Sequence, residues 1–193
     1  HPQPPASAPG VTNIDEDFEY IEVKNIATTP LNVNNFTISG GIEFTFPNRL
    51  LSAGERLVIV KNLYAFTNRY GAAAGSLVAG VYSENLANDG NRLILKGHLR
   101  EPILDFSYDD DWYPITDGHG FSLVVVDENA EPDAWDRKSN WRPSGQVNGS
   151  PGTNDPAPMT IVPVVINEAL TRSETPPPTD PIELYNPTGT SAD

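Results

Sequence analysis

Tyr20-Ile21-Glu22-Val23-Lys24-Asn25-Ile26-Ala27-Thr28 decides how this chain is read, because it returns as Pro181-Ile182-Glu183-Leu184-Tyr185-Asn186-Pro187-Thr188-Gly189. Aligning Ile21 with Ile182 gives an offset of 182 − 21 = 161 residues, about the length of one domain. Just before the second copy runs Ile161-Val162-Pro163-Val164-Val165-Ile166-Asn167-Glu168-Ala169-Leu170, an apolar stretch with no counterpart ahead of Tyr20. The expectation is a piece of a tandem-repeat protein whose first copy is short of one strand. A module repeated in this way points to binding or spacing more than to a catalytic centre.

Outward from the repeat, the pattern is one of short strands and frequent turns. Ile21 and Val23 alternate with Tyr20, Glu22 and Lys24, so the two aliphatic residues are expected to face a core, with Phe18 and Tyr20 covering the other side. Residues 31–38 alternate too, and the step in phase near Asn34-Asn35 suggests a bulge. Ile42-Glu43-Phe44-Thr45-Phe46 reads as a strand ended by Pro47. Arg56-Leu57-Val58-Ile59-Val60 is apolar on both faces and is expected at the centre of a sheet. Asn62 caps a helix over about 62–70, with Leu63, Phe66 and Tyr70 on one face. Gly71 ends it, and Ala72 to Gly75 read as a flexible linker. Residues 77–82, 92–96 and 102–108 are further strands, and Asn88-Asp89-Gly90-Asn91 predicts a hairpin turn between the first two. Phe121 to Val126 is the last strong strand. Asp127 to Pro158 then reads as loops anchored by Trp135 and Trp141. The class is all-β, an immunoglobulin-like antiparallel β-sandwich with one short helix. Its parts are an extended segment over 1–17, a domain over 18–155, a linker over 156–163 and the opening strands of a second, truncated repeat over 164–193.

Composition narrows the partners. The 193 residues carry 12 basic and 26 acidic side chains, a formal net charge of −14, which repels nucleic-acid phosphates and anionic lipid. There is no cysteine, so neither a disulfide framework nor a thiolate metal site is available. No apolar run approaches the ~20 residues of a membrane span, so no membrane insertion is expected.

The order of these segments resembles that of bacterial lamin tail domains. The resemblance rests on Tyr20-Ile21-Glu22-Val23-Lys24-Asn25, Phe44-Thr45-Phe46-Pro47, Leu51-Ser52-Ala53-Gly54-Glu55 and Leu57-Val58-Ile59-Val60. It continues through Leu86 to Leu93, Leu104-Asp105-Phe106-Ser107-Tyr108, Trp112-Tyr113-Pro114, Asp117 to Leu123, Asn140-Trp141-Arg142 and Gly149-Ser150-Pro151-Gly152. It spans residues 11–155, and Val164 to Leu170 match the family's opening strand. The resemblance implies an immunoglobulin-like sandwich that accompanies hydrolase, nuclease or kinase domains in longer polypeptides and serves adhesion, spacing or targeting. It also implies that the first copy lacks an edge strand. Val164, Val165, Ile166, Asn167, Glu168, Ala169 and Leu170 are therefore expected to fill that gap, within the chain or by exchange in a strand-swapped homodimer.

Three side-chain groups are candidates for chemistry. Asp109, Asp110 and Asp111 could offer carboxylates to calcium, the one cofactor the sequence suggests, although their spacing matches no EF-hand and a solvated loop reads as well. Trp112, Tyr113 and Trp135 could form an aromatic platform for sugars; Trp112 and Trp141 also read as core plugs, which leaves Trp135, among charged neighbours, as the exposed ring. Glu22 and Glu183 occupy equivalent places, one in each copy, and so do not make an acid–base pair. Asn25 reads as a turn-former whose side chain bonds nearby backbone. His98 and His119 lack a helix of ligands or a nucleophile elbow. The function expected is a non-catalytic interaction, spacer or targeting module of a secreted or surface multidomain bacterial protein. Its partners would be a protein or cell-surface polymer and the neighbouring domains, with no nucleic acid. The alternatives are a carbohydrate-binding module and a calcium-dependent adhesion domain.

Overall fold

Arg56–Val60 is the strand around which the body is built, and its sequence shows why. The four residues after Arg56 are all aliphatic, and Leu57, Val58, Ile59 and Val60 are each fully buried, two to either side of the sheet. The computed structural model describes residues 14–158, 164–170 and 181–187. Residues 1–13 of the expected N-terminal segment, 159–163 of the expected linker, and 171–180 and 188–193 of the expected second copy lie outside them. The chain divides into two units, His1–Pro158 and Met159–Asp193.

In chain order the first unit has β1 (Tyr20–Lys24), β2 (Leu31–Asn32), β3 (Thr37–Gly40), β4 (Phe44–Thr45), β5 (Leu50–Leu51), β6 (Arg56–Val60), α1 (Leu63–Gly75), β7 (Val78–Val81), β8 (Asn91–Lys96), β9 (Pro102–Tyr108), β10 (Leu123–Val125) and β11 (Trp141–Pro143). One sheet runs β1-β6-β7 and another β4-β3-β8-β9; β2–β5 and β10–β11 are separate pairs. The two larger sheets face each other across one core. Leu57 and Ile59 from the first meet Ile38 and Leu93 from the second, with Val33, Phe36, Ile42, Phe46, Leu51 and Tyr82 around them. Ile21 and Val23 of β1 join this cluster, as their alternation requires. The reverse face of the first sheet is covered by α1: Val58, Val60 and Phe66 form a second cluster with Tyr20, Tyr70, Ala74, Leu77 and Val78. The molecule is therefore all-β and sandwich-like, with a single α-helix among the described residues.

Several expectations change in detail. β6 and β7 are parallel, joined by α1 as a crossover, so the strands are not all antiparallel. The helix does not stop at Gly71. That glycine takes φ +80° and kinks it, and Ala72 to Gly75 resume as a further turn, helical rather than linker-like. Asn62 does cap it, its Oδ1 accepting from the N–H groups of Tyr64 (3.0 Å) and Ala65 (3.2 Å). Phe18 ends a short 3₁₀ turn (Asp15–Phe18) before the strand begins and lies fully buried beneath the Arg69 guanidinium, 3.7 Å from its ring centroid.

At Asn34-Asn35 the phase step is a turn and not a bulge. Asn35 adopts φ +61°, which asparagine tolerates better than most residues, and the chain leaves β2 for β3 in another sheet. The expected hairpin at residues 88–91 likewise joins different sheets: β7 lies beside β6, and β8 pairs instead with β3 and β9. The strong turn chemistry is used for a crossing, because β7 is already held by α1 and the parallel ladder. Of Ile42 to Phe46 only Phe44–Thr45 is strand, and the pairing of β10 with Trp141–Pro143 gives the loop region a strand the sequence did not announce.

In the second unit β12 (Val165–Ala169) pairs antiparallel with β13 (Ile182–Tyr185), with a register shift between Ile166 and Glu168. Every residue of both strands is exposed. No helix among the described residues is long and apolar enough to cross a membrane.

Candidate functional site

β1 is the edge of its sheet, and its two sides have different fates. On the inner side Lys61 N–H donates to Glu19 O (3.0 Å) and Asn25 N–H to Glu55 O (3.0 Å), framing a ladder in which Ile21 faces Ile59 and Val23 faces Leu57. Main-chain groups in an antiparallel strand alternate in direction. Those of Tyr20, Glu22 and Lys24 therefore point away from β6, and no described residue pairs with them. Ile21 and Val23 remain only half-buried, whereas Leu57 and Ile59 opposite them are sealed. Among the described residues the edge is a strip of unpaired peptide groups above an incompletely covered core.

The side chains of the same three residues are well occupied. Tyr20 packs edge-on against Phe66 and Tyr70, both at 5.7 Å between centroids, and Tyr70 Oη donates to Asn148 O at 2.6 Å. Burial pushes the Tyr20 phenol far above its ordinary range, and pushes Tyr70 up to about 12 against the lowering effect of Arg69 beside it. Glu22 Oε2 accepts from Gly152 N–H (2.6 Å), and Glu22 Oε1 lies 3.1 Å from Arg56 Nε. Burial raises the proton affinity of Glu22 above its ordinary value, and those two donors offset only part of that. Lys24 forms an ion pair with Glu128. One face of β1 is thus strapped down by residues 122–155.

The strap is itself buckled by Asp155. Its carboxylate takes Arg142 Nη1 (2.5 Å), Gly145 N–H (2.9 Å) and Ser150 Oγ–H (2.8 Å), while Arg56 Nη2 donates to Asn154 Oδ1 (2.6 Å). At the end of β1, Asn25 is buried. Its amide reaches the carbonyls of Thr29 (2.9 Å), Leu51 (3.0 Å) and Ser52 (3.2 Å), and its Oδ1 accepts from Ala27 N–H (3.0 Å). It is a turn-former, as its sequence context suggests, and also a clamp on the neighbouring loop. At the other end buried Glu19 accepts from Tyr82 Oη–H (3.0 Å) and Leu86 N–H (3.2 Å). Neither Glu19 nor Asp155 stands out in the sequence, since each sits in a polar stretch that reads as solvated.

The candidate aromatic platform is not a flat exposed surface. Trp112, Tyr113 and Trp135 are each half-buried. Trp135 packs on Phe106 (5.5 Å, 53°) and edge-on to the buried Trp141 (5.3 Å, 85°), while Trp112 meets Trp141 at 6.3 Å and 37°. Tyr113 Oη donates to Trp141 O at 2.8 Å. Trp135 is drawn inward because Asp136 Oδ1 accepts Ser107 N–H (2.7 Å), pinning this loop to β9; its charged neighbours do not make it the exposed ring. Asp109 caps a short 3₁₀ turn (Asp110–Trp112), its Oδ1 accepting from Asp111 N–H at 2.9 Å, and Asp110 and Asp111 form the first two residues of that turn. Among the described residues no three acidic, histidine or cysteine side chains converge as a metal site. His98 stacks on Phe36 (17°) and lines a shallow open cleft with Asn32, Asn34 and Asn35.

Val164 to Leu170 lie in the second unit, where Leu170 N–H donates to Pro181 O (3.1 Å) and Asn167 Nδ2 to Glu183 Oε1 (2.5 Å). Comparison of the chain with protein-family models gives no match, and comparison with curated proteins gives none either.

Proposed function

We propose that this chain is a lamin-tail-like interaction, spacer or targeting module, without catalytic activity, of a multidomain bacterial protein that is secreted or held at the cell surface. The observation that carries this reading is the outer edge of β1. It offers main-chain donors and acceptors to an added strand, on a body in which Glu22 and Asp155 hold loop backbone and Trp135 packs on Trp141. Sheet edges bind extended segments through backbone hydrogen bonds and leave specificity to alternate side chains. The 161-residue offset between Ile21 and Ile182 supports a spacer built from repeated units. The partners proposed are a protein or cell-surface polymer and the neighbouring domains.

The test is to fuse the chain to a fluorescent carrier. Retention of the carrier on cell-surface proteins or polymer is expected, together with no turnover of ester, phosphate, glycoside or peptide substrates. Reproducible turnover that follows the purified chain overturns the reading; absence of retention on every surface removes the targeting role.

A further inference from the structure

Resting on that reading, we infer that the outer edge of β1 receives the Val164–Leu170 strand of a second copy of this chain, in the register that β12 takes on β13. The two edges are equivalent. Subtracting 161 places Pro181 on Tyr20, Glu183 on Glu22 and Tyr185 on Lys24. Leu170 N–H bonds Pro181 O, so the main-chain groups of 181, 183 and 185 are those that face β12. Their counterparts at 20, 22 and 24 are those left open on β1. One side of the same strand is filled in the second unit and, among the described residues, empty in the first.

The transferred register sets Ala169 opposite Ile21, Glu168 opposite Glu22, Ile166 opposite Val23 and Val165 opposite Lys24. Burial favours the move. On β13, Val165 is 45% and Ile166 67% exposed, and a two-stranded sheet without a covered face is marginal in water. On β1 the strand would extend a three-stranded sheet that already has a core, and would cover Ile21 and Val23. Charge favours it as well. Glu168 faces Glu183 in the second unit, whereas Glu22 is neutralised by Arg56 at 3.1 Å. Each copy carries one such strand and one such edge, so two copies exchanging strands close reciprocally with no β1 edge left open.

The experiment uses full-length chains, which have no native cysteine. One copy carries Lys24→Cys, the other, enlarged by a carrier, carries Val165→Cys, and the mixture is oxidised. A mixed disulfide is expected in roughly tenfold excess over the pair Lys24→Cys with Ala169→Cys, whose sites would lie ~10 Å apart along the strand, beyond disulfide reach. Lys24→Pro, which removes an outward N–H without touching the β6 ladder, is expected to abolish the dimer in sedimentation while keeping the circular dichroism of the fold. A mixed disulfide no more abundant than the off-register pair overturns the inference. So does a chain carrying both Lys24→Cys and Val165→Cys that cross-links only within itself. Surface retention of the carrier fusion persisting in either case would show that the inference fails while the interaction-module reading stands.

Discussion

β1 and β13 are nearly the same strand in two settings. Ile21-Glu22-Val23-Lys24 runs along a sheet whose next strand is fully buried, and its aliphatic residues are half-covered. Ile182-Glu183-Leu184-Tyr185 pairs through its opposite edge with Val165–Ala169, and all its side chains are exposed. The alternation that marks both as strands is therefore no guide to how much either contributes to stability. That depends on what is stacked against the sheet, and β6 with α1 supplies it for β1 alone.

The largest effect should come from the strand beside β1. Ile59→Ala removes a fully buried side chain and should cost about 3–4 kcal/mol in urea unfolding. Ile182→Ala, on the exposed strand, should stay within about 0.5 kcal/mol. Equal losses would mean that the second unit has a core of its own. Next, Asn25→Ala leaves the carbonyls of Leu51 and Ser52 without their side-chain donor and should cost about 2–3 kcal/mol by the same measurement.

The open edge sets a third, alternating signature. In dilute protein the amides of Tyr20, Glu22 and Lys24 should exchange with solvent far faster than those of Ile21 and Val23, and should slow as concentration rises. Uniform protection along β1 at all concentrations would contradict an open edge.

Smaller effects depend on pH. Burial raises Glu22 above its ordinary value of 4.5, so the folded state binds its proton more tightly than the unfolded state does. Its contribution is fully present below 4.5 and is lost as pH rises through the raised folded value. The stability of wild type relative to Glu22→Gln should fall as pH rises above 4.5, read from unfolding curves of both proteins. Smallest of all is the exposed pair on β8 and β9. Arg92 holds the Asp105 carboxyl below its ordinary range, so that contribution exists above 3.8 and fades as pH falls through the lowered value. Asp105→Asn should shift the melting temperature at the limit of detection, and not at all in ~1 M salt.

Much of the fold was legible because short-range patterning carries it. Leu57 to Val60 announced a central strand, Asn62 a helix cap, and Ile21 and Val23 a core-facing pair. The failures fall where a local signal serves more than one use. The Asn88 to Asn91 turn is equally good for a hairpin or a crossing, and Trp135 among charges reads as exposed until Asp136 is seen to bind Ser107 N–H. The repeat raised the expectation that β1 has an open edge, but which of its peptide groups face away from β6 depends on the β6 register.

Sequence by itself determined most of the strands and their faces and the absence of thiol chemistry, since these follow from side-chain periodicity and composition. Only the tertiary structure decided that β6 meets β7 in parallel, that Asp155 buckles the strap over β1, and that the main-chain groups of Tyr20, Glu22 and Lys24 turn away from β6, with no partner among the described residues. Hydrogen-bond direction along a strand is fixed by the neighbour it finds, and that neighbour lies far away in sequence.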